Sequence, residues 1–308
     1  MVFAQYIFGP LIKRLKTHYR CRSYLVLRDL FPDWAVDLGI LSKGLVYRFL
    51  KLIEHYQYNA ADKIGVQCPA NMSLVTGGVE IQSKCEVLWT WLGGPPESAK
   101  KCSIQVAETQ LRGRTIFVYA GNMGVAQGMD MFIELAAGLL ARQDVGFIFV
   151  GRGSDAEYMR AVASKGGLEN VMFFDEIDPS EIPGLYAQCH IGLVALDPRH
   201  KTHNIPGKFL SYIKAGLPVL ASVNPGNDLI DLIRDYDVGC VCTEGSTELM
   251  LESALLLLDR LDQGEGYTAR CSSMAGKLFS SDIAIDQIIT ALNWRVNEAA
   301  RNNSTYSG

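Results

Sequence analysis

Between residues 115 and 242, short β-rich runs alternate with amphipathic stretches. TIFVYA (115–120), GFIFV (146–150), VMFF (171–174), IGLVAL (191–196), PVLAS (218–222) and VGCVC (238–242) predict strands. Helical periodicity fills the intervals near 128–142, 155–165, 179–188, 207–215 and 226–235. The strands are apolar on both sides, which predicts a parallel sheet covered by helices on both faces, hence an α/β fold. Beyond residue 242 the pattern is helical over 249–261, 267–279 and 283–295, and the tail ARNNSTYSG is polar.

The first hundred residues carry the same pattern less fully. A helix with a basic face over 9–20 leads to the strand YLVL (24–27). Helices over 35–41 and 45–58 follow, then KIGVQ (63–67), a short helix over 69–75, and CEVLW (85–89). Three strands leave an apolar edge open, so either a partner supplies the remainder or the chain starts inside a domain. The stretch GGPPESAKKCSIQ (93–105) has linker composition. The expected division is an incomplete first domain over 1–92, a linker over 93–112, and a second domain over 113–280. A last helix spans 281–300.

Charge changes the picture locally. The 308 residues carry 29 Lys and Arg against 33 Asp and Glu, a net charge of −4, which argues against nucleic acid as a partner. Residues 1–63, however, hold ten cations and five acids, and the first 28 contain Lys13, Arg14, Lys16, Arg20, Arg22 and Arg28 with no acid at all. Eight cysteines lack metal-type spacing and read as reduced thiols, consistent with a cytoplasmic location. No apolar run approaches the ~18 residues of a membrane span.

Parallel sheets bind ligands beyond the carboxyl ends of their strands, which singles out four loops. GNMGVAQG (121–128) offers tight turns and free amides at a helix start through Gly121, Asn122 and Gly124, yet it matches neither GxGxxG nor the P-loop. In GRGSD (151–155), Arg152 stands between two glycines, and its planar fork suits phosphate; a solvated loop arginine is the alternative. In DPRHKTHNIPGKF (197–209), Pro206 and Gly207 open a helix whose first turn holds Lys208. A cation there opposes the helix dipole unless an anion offsets it. His200 and His203 lack a third ligand, so no metal site is expected. In the first domain, Arg28 and Asp29 follow a strand end; Asp29 could pair with Arg28 or with substrate hydroxyls, while Asp33 could cap the next helix. Trp89 and Trp91 read as hinge packing.

Together RDLFPDWAVDLG (28–39), LWTWL (88–92), YAGNMGVAQGMD (119–130), FIFVGRG (147–153), LYAQCHIGLVAL (185–196) and IPGKFLSYIKAGLPVLA (205–221) resemble the GT-B glycosyltransferases of family 4. The similarity is greatest to the bacterial group that builds O-antigen and capsule repeat units, including N-acetyl-L-fucosamine transferases. The resemblance implies two Rossmann-like domains, the second binding a UDP-sugar and the first the acceptor. It implies that Gly121, Asn122 and Gly124 approach the donor, that Arg152 and Lys208 compensate phosphate charge, and that the loop with Phe174, Asp175 and Ile177 touches the base. Arg28 or Asp29 would lie beside the anomeric carbon. The last helix would cross back to the first domain, transfer would proceed with retention, and no metal or other cofactor would be needed.

Two glutamates usual in the family are replaced by His203 and Ser211, and a usual lysine by Gln127. About a hundred residues that the family places before YLVL are not in this sequence. The implied acceptor is a lipid-linked glycan, with peripheral contact to the inner membrane face through residues 1–22, where Phe3, Tyr6, Ile7 and Phe8 accompany the cations. The alternatives are an inactive remnant, a donor-binding subunit needing a partner, and, last, a nucleotide-sugar 2-epimerase.

Overall fold

Ten strands form two all-parallel sheets among the described residues. The structure, a computed structural model, describes residues 2–3, 8–37, 39–93, 101–124, 128–196, 205–243 and 245–292. The chain divides into two units, Met1–Trp91 with Ser280–Gly308, and Leu92–Phe279.

The first unit contains β1 (Val2–Phe3), α1 (Gly9–Tyr19), β2 (Tyr24–Leu27), α2 (Asp33–Asp37), α3 (Leu45–Ala60), β3 (Lys63–Val66), α4 (Pro69–Leu74), α5 (Gly78–Gln82) and β4 (Cys85–Val87). Its strands lie in the order β1-β2-β3-β4. The YLVL run divides between two cores because alternate strand residues point to opposite faces. Leu25 and Leu27 pack with Tyr58, Ile64 and Val66, while Tyr24 and Val26 pack with Leu88, Ala284 and Leu292. Asp62 ties the layers together, accepting from the Ser23 amide at 2.7 Å and pairing with Lys16 of α1 at 2.8 Å.

The second unit contains β5 (Thr115–Ala120), α6 (Asp130–Gly138), β6 (Val145–Val150), α7 (Ala156–Lys165), β7 (Val171–Phe174), α8 (Ile182–Tyr186), β8 (Ile191–Ala195), α9 (Gly207–Ala215), β9 (Val219–Ser222), α10 (Leu229–Asp235), β10 (Gly239–Cys242), α11 (Thr247–Asp262) and α12 (Thr268–Leu278). The strand order is β10-β9-β8-β5-β6-β7, so the chain reverses direction across the sheet between β5 and β8. Strands β5, β6 and β8 are buried almost throughout, as a sheet covered on both faces requires. A stacked pair of rings, Phe117 and Phe147 at 4.9 Å, lies in its centre. The last helix, α13 (Ser281–Ala291), belongs to the first unit; Gln287 donates to the Val87 carbonyl at 2.7 Å.

Several expectations shift. The first sheet has four described strands rather than three, because a two-residue strand leaves no periodic signal. Much of the expected linker is not a linker: Cys102, Ile104, Val106 and Leu111 are buried in the second unit. The expected 35–41 helix is α2, ending at Asp37, with Asp33 in its first turn. The Asp33 carboxylate accepts from Tyr47 at 2.8 Å and Lys51 at 3.0 Å, fastening α2 to α3. All eight cysteines are free, and burial pushes Cys240 and Cys271 up to about 11, so both are protonated at neutral pH. No described helix is long and apolar enough to cross a membrane.

Candidate functional site

The reversal of strand order leaves a crevice at the carboxyl edge of the second sheet, where the two halves of the chain turn away from each other. A cleft of about 460 Å³ occupies that edge, lined among others by Gly121, Asn122, Gly151, Arg152, Glu176, Ile177, Tyr186, Lys208 and Ser211.

Its floor is made by two glycine turns in close contact. Gly121 has φ +136°, and a Cβ there would meet Lys208 Cε at 2.8 Å. Gly151, at φ +137°, lies against Gly121 so tightly that a Cβ would come within 2.2 Å of its carbonyl oxygen. Only glycine fits either position. Backbone bonds fasten the turns, with the Gly121 amide donating to Val150 at 2.8 Å and the Met123 amide to Arg152 at 2.8 Å.

Lys208 stands in the first turn of α9, after Pro206 in extended conformation and an exposed Gly207, with no side-chain cap. Its ammonium lies 4.7 Å from the centre of the Tyr119 ring, a cation–π contact. Burial lowers its pKa, and among the described residues no carboxylate pairs with it. A half-buried cation at the open, positive end of a helix is electrostatically unfavourable until an anion arrives. Tyr119 has a second role, donating its hydroxyl proton to the Asn122 carbonyl at 2.6 Å, so one ring orients both the lysine and the first glycine loop.

The expected residues distribute unevenly. Gly121, Asn122, Arg152, Ile177, Lys208 and Ser211 line one cleft. Arg152 does not reach it unopposed: its Nε pairs with Glu176 at 3.0 Å, and both side chains are largely exposed. Ser211 donates to the Gly207 carbonyl at 3.0 Å, one turn back along α9, leaving its oxygen as an acceptor. Asp175 is held away by Arg160 at 2.8 Å, and Phe174 closes β7, its carbonyl accepting from the Gly151 amide; neither lines the cleft. Gly124 and Gly207 also stand outside its lining, as does Pro206. Gln127, His200 and His203 lie outside the described residues. Among the described residues, no group of three His, Cys, Asp or Glu gathers as a metal site would need.

In the first unit, Arg28 donates to Thr90 at 2.6 Å and stacks over Trp91 at 4.3 Å; burial lowers its pKa. Trp91, the last residue of the first unit before the boundary, packs against the cluster of Tyr24, Val26 and Leu88 and also serves as a platform for Arg28, and Asp29 is exposed. Tyr119, Gly151, Glu176 and Tyr186 were not singled out by the sequence. Their signal lay in position: each sits within a few residues of a strand or helix end that faces the crevice.

The chain is similar to known proteins in sequence and in fold. Residues 114–260 match the family described as Glycosyl transferases group 1. WbjE of Pseudomonas aeruginosa, named as a probable glycosyltransferase, is 24% identical over 71% of this chain and 55% of its own length. WcaI of Escherichia coli (strain K12), named for glycosyl transfer in colanic acid biosynthesis, is 22% identical over 72% of this chain and 56% of its own. The chain therefore spans about half the length of the curated relatives it matches. Among solved structures, Anabaena Alr3699/HepE in complex with UDP superposes with a TM-score of 0.67 and 14% identity, covering 95% of this chain and 78% of that one. The fold is α/β of the GT-B type, with parallel sheets in two Rossmann-like parts.

Proposed function

We propose that the protein is a glycosyltransferase whose second unit holds the diphosphate of a UDP-sugar in the cleft beside Gly121, Gly151 and Lys208. The observation that carries this reading is Lys208: a half-buried ammonium with no carboxylate partner among the described residues, in the first turn of a helix without a side-chain cap, at the switch point of the sheet. Arg152 joins it once the phosphates compete with Glu176 for the guanidinium. These groups stabilise the leaving diphosphate as charge develops, in the role a divalent ion plays elsewhere, so UDP binding is expected to persist in chelator.

In this reading the bond between the anomeric carbon and the β-phosphate oxygen breaks. A bond to an acceptor hydroxyl oxygen forms on the same face, and the hydroxyl proton leaves with UDP. The sugar is hexose-type, with an acetamido or deoxy sugar favoured by the O-antigen and capsule resemblance. The acceptor is a lipid-linked glycan of surface polysaccharide synthesis, met at the inner membrane face by a peripheral contact through residues 1–22. The names of WbjE and WcaI and the UDP held by HepE support the class of reaction. Acceptor-side chemistry falls to Arg28, fixed by Thr90 and Trp91, and to the exposed Asp29.

Calorimetric titration with UDP, with and without EDTA, tests the donor site. Saturable binding unaffected by EDTA supports it, and no binding at millimolar UDP rejects it. Binding without release of UDP from any UDP-sugar in the presence of lipid-linked acceptors keeps the donor site and removes the transfer reading.

A further inference from the structure

Three loops at the carboxyl edge of the first sheet converge on one guanidinium. Arg28 follows β2, Gln67 follows β3, and Thr90 and Trp91 stand beyond β4. Strand β3 separates β2 from β4, so the arginine reaches across two strand spacings, roughly 10 Å, to donate to Thr90. Its main chain is anchored in turn, because the buried Gln67 side chain donates from Nε2 to the Arg28 carbonyl. A long, flexible side chain is thereby held at both ends.

Fixing the side chain does not exhaust it. A guanidinium carries about five N–H donors, and Thr90 takes one through Nη1. Trp91 covers one face at 4.3 Å and is itself packed against Tyr24, Val26 and Leu88, which sets the plane of the fork. The in-plane edge is left for a partner. Among the described residues no carboxylate closes an ion pair with Arg28. Asp29, the next residue, lends a favourable field from an exposed position, yet burial outweighs that field and lowers the arginine's pKa. One hydroxyl and one aromatic face do not offset the water this charge has lost.

An oxyanion answers this geometry. The planar fork gives two parallel N–H bonds to a carboxylate or a phosphate, and the negative charge offsets the buried positive one. A sugar hydroxyl can accept one such bond but brings no charge. Arg28, Thr90 and Trp91 are all partly exposed, so a ligand can reach the fork. A plane fixed in advance also lowers the ordering cost of the contact, which makes the group selective as well as attractive.

We infer that Arg28 anchors an anionic group of the acceptor, a phosphate or a carboxylate borne by the glycan or by its linkage, with Thr90 and Trp91 as positioning residues. The inference deepens the proposed glycosyl transfer and rests on it for calling the ligand an acceptor. It gives Arg28 a part in acceptor choice rather than in the chemistry at the anomeric carbon, and it uses no residue of the donor cleft.

The full chain, saturated with UDP so that the donor cleft is filled, is titrated calorimetrically with two pairs of probes. These are geranyl diphosphate against geraniol, and methyl glucuronide against methyl glucoside. Wild type is expected to bind at least one charged probe about tenfold tighter than its neutral counterpart. A preference confined to the diphosphate assigns a phosphate linkage, and one confined to the glucuronide assigns an acidic sugar. Arg28→Gln is expected to abolish the preference and Arg28→Lys to restore part of it. Thr90→Val should weaken it roughly threefold by freeing the fork. UDP affinity should stay unchanged in all three variants. No charge preference in the wild type overturns the inference, and so does a preference that survives Arg28→Gln. Weaker UDP binding in that variant overturns it too and gives the arginine to the donor. Where circular dichroism shows Arg28→Gln unfolded, an undiminished preference in both Arg28→Lys and Thr90→Val overturns it. If UDP does not bind, the donor reading falls, and the same titration of Lys208→Ala without UDP decides this inference by itself.

Discussion

The two sheets are built alike and differ at their edges. Both are parallel and both interleave with helices, yet the six-stranded sheet reverses its strand order and the four-stranded sheet runs β1-β2-β3-β4 among the described residues. The reversal opens a crevice in which two glycine turns and Lys208 meet. At the carboxyl edge of the first sheet the corresponding cation is already engaged: Arg28 is bound by Thr90 and stacked on Trp91. One edge leaves its cation without a carboxylate partner among the described residues, held only against the Tyr119 ring, whereas the other fixes its cation between Thr90 and Trp91. A strained, electrostatically incomplete edge is the local conflict on which the proposed donor site rests.

Changes at the first edge should separate binding from stability. The double substitution of Arg152 and Lys208 by Ala is expected to weaken UDP binding on the order of a hundredfold, to below calorimetric detection, with Lys208→Ala alone costing at least about tenfold (~1.4 kcal/mol). Intact circular dichroism alongside unchanged UDP affinity would mean the phosphates bind elsewhere. Gly151→Ala puts a methyl group into the Gly121 carbonyl and holds alanine at positive φ. It should lower unfolding free energy by about 2–3 kcal/mol and weaken UDP binding as well, measured by urea denaturation and calorimetry.

The first unit should respond in the opposite sense. For Asp62, burial raises the pKa, but the Lys16 and Ser23 contacts outweigh it and hold the carboxyl below its ordinary 3.8. That contribution is present above 3.8 and is lost as pH falls through the lower folded value. Asp62→Asn is expected to remove about 2 kcal/mol of stability at neutral pH and to leave UDP affinity untouched. A matching loss of UDP binding would erase the contrast between the units.

Two smaller effects sharpen it. Glu176→Gln releases Arg152 and should tighten UDP roughly threefold, by a weak exposed pair's worth of energy. Lys208 has a pKa lowered by burial, and a bound diphosphate would raise it again, so binding above the free-state value takes up a proton. UDP affinity should therefore fall as pH rises toward the ordinary lysine value of 10.5, and the Lys208→Ala variant should flatten that slope. A wild-type profile as flat as the variant's would place the lysine away from the phosphates.

Much of this was legible in the chain. Strands such as TIFVYA and GFIFV, and the helix over 207–215, announce themselves because two-sided burial demands unbroken apolar runs and a Pro-Gly start fixes the helix. Lys208 stood out because its charge conflicts with the helix dipole. What escaped was long-range. Val2–Phe3 is too short to show a period. The partnership of Asp175 with Arg160 spans 15 residues, and the exposure of Leu45, Phe49 and Leu52 on α3 depends on which side of that helix the sheet covers.

The sequence by itself determined the element types, the parallel α/β class and the loops where chemistry could sit, since these follow from periodicity and local backbone demands. Only the tertiary structure decided which cations are already satisfied and which apolar stripe faces outward. Burial and charge pairing are properties of neighbours brought from distant positions, and no local pattern encodes them.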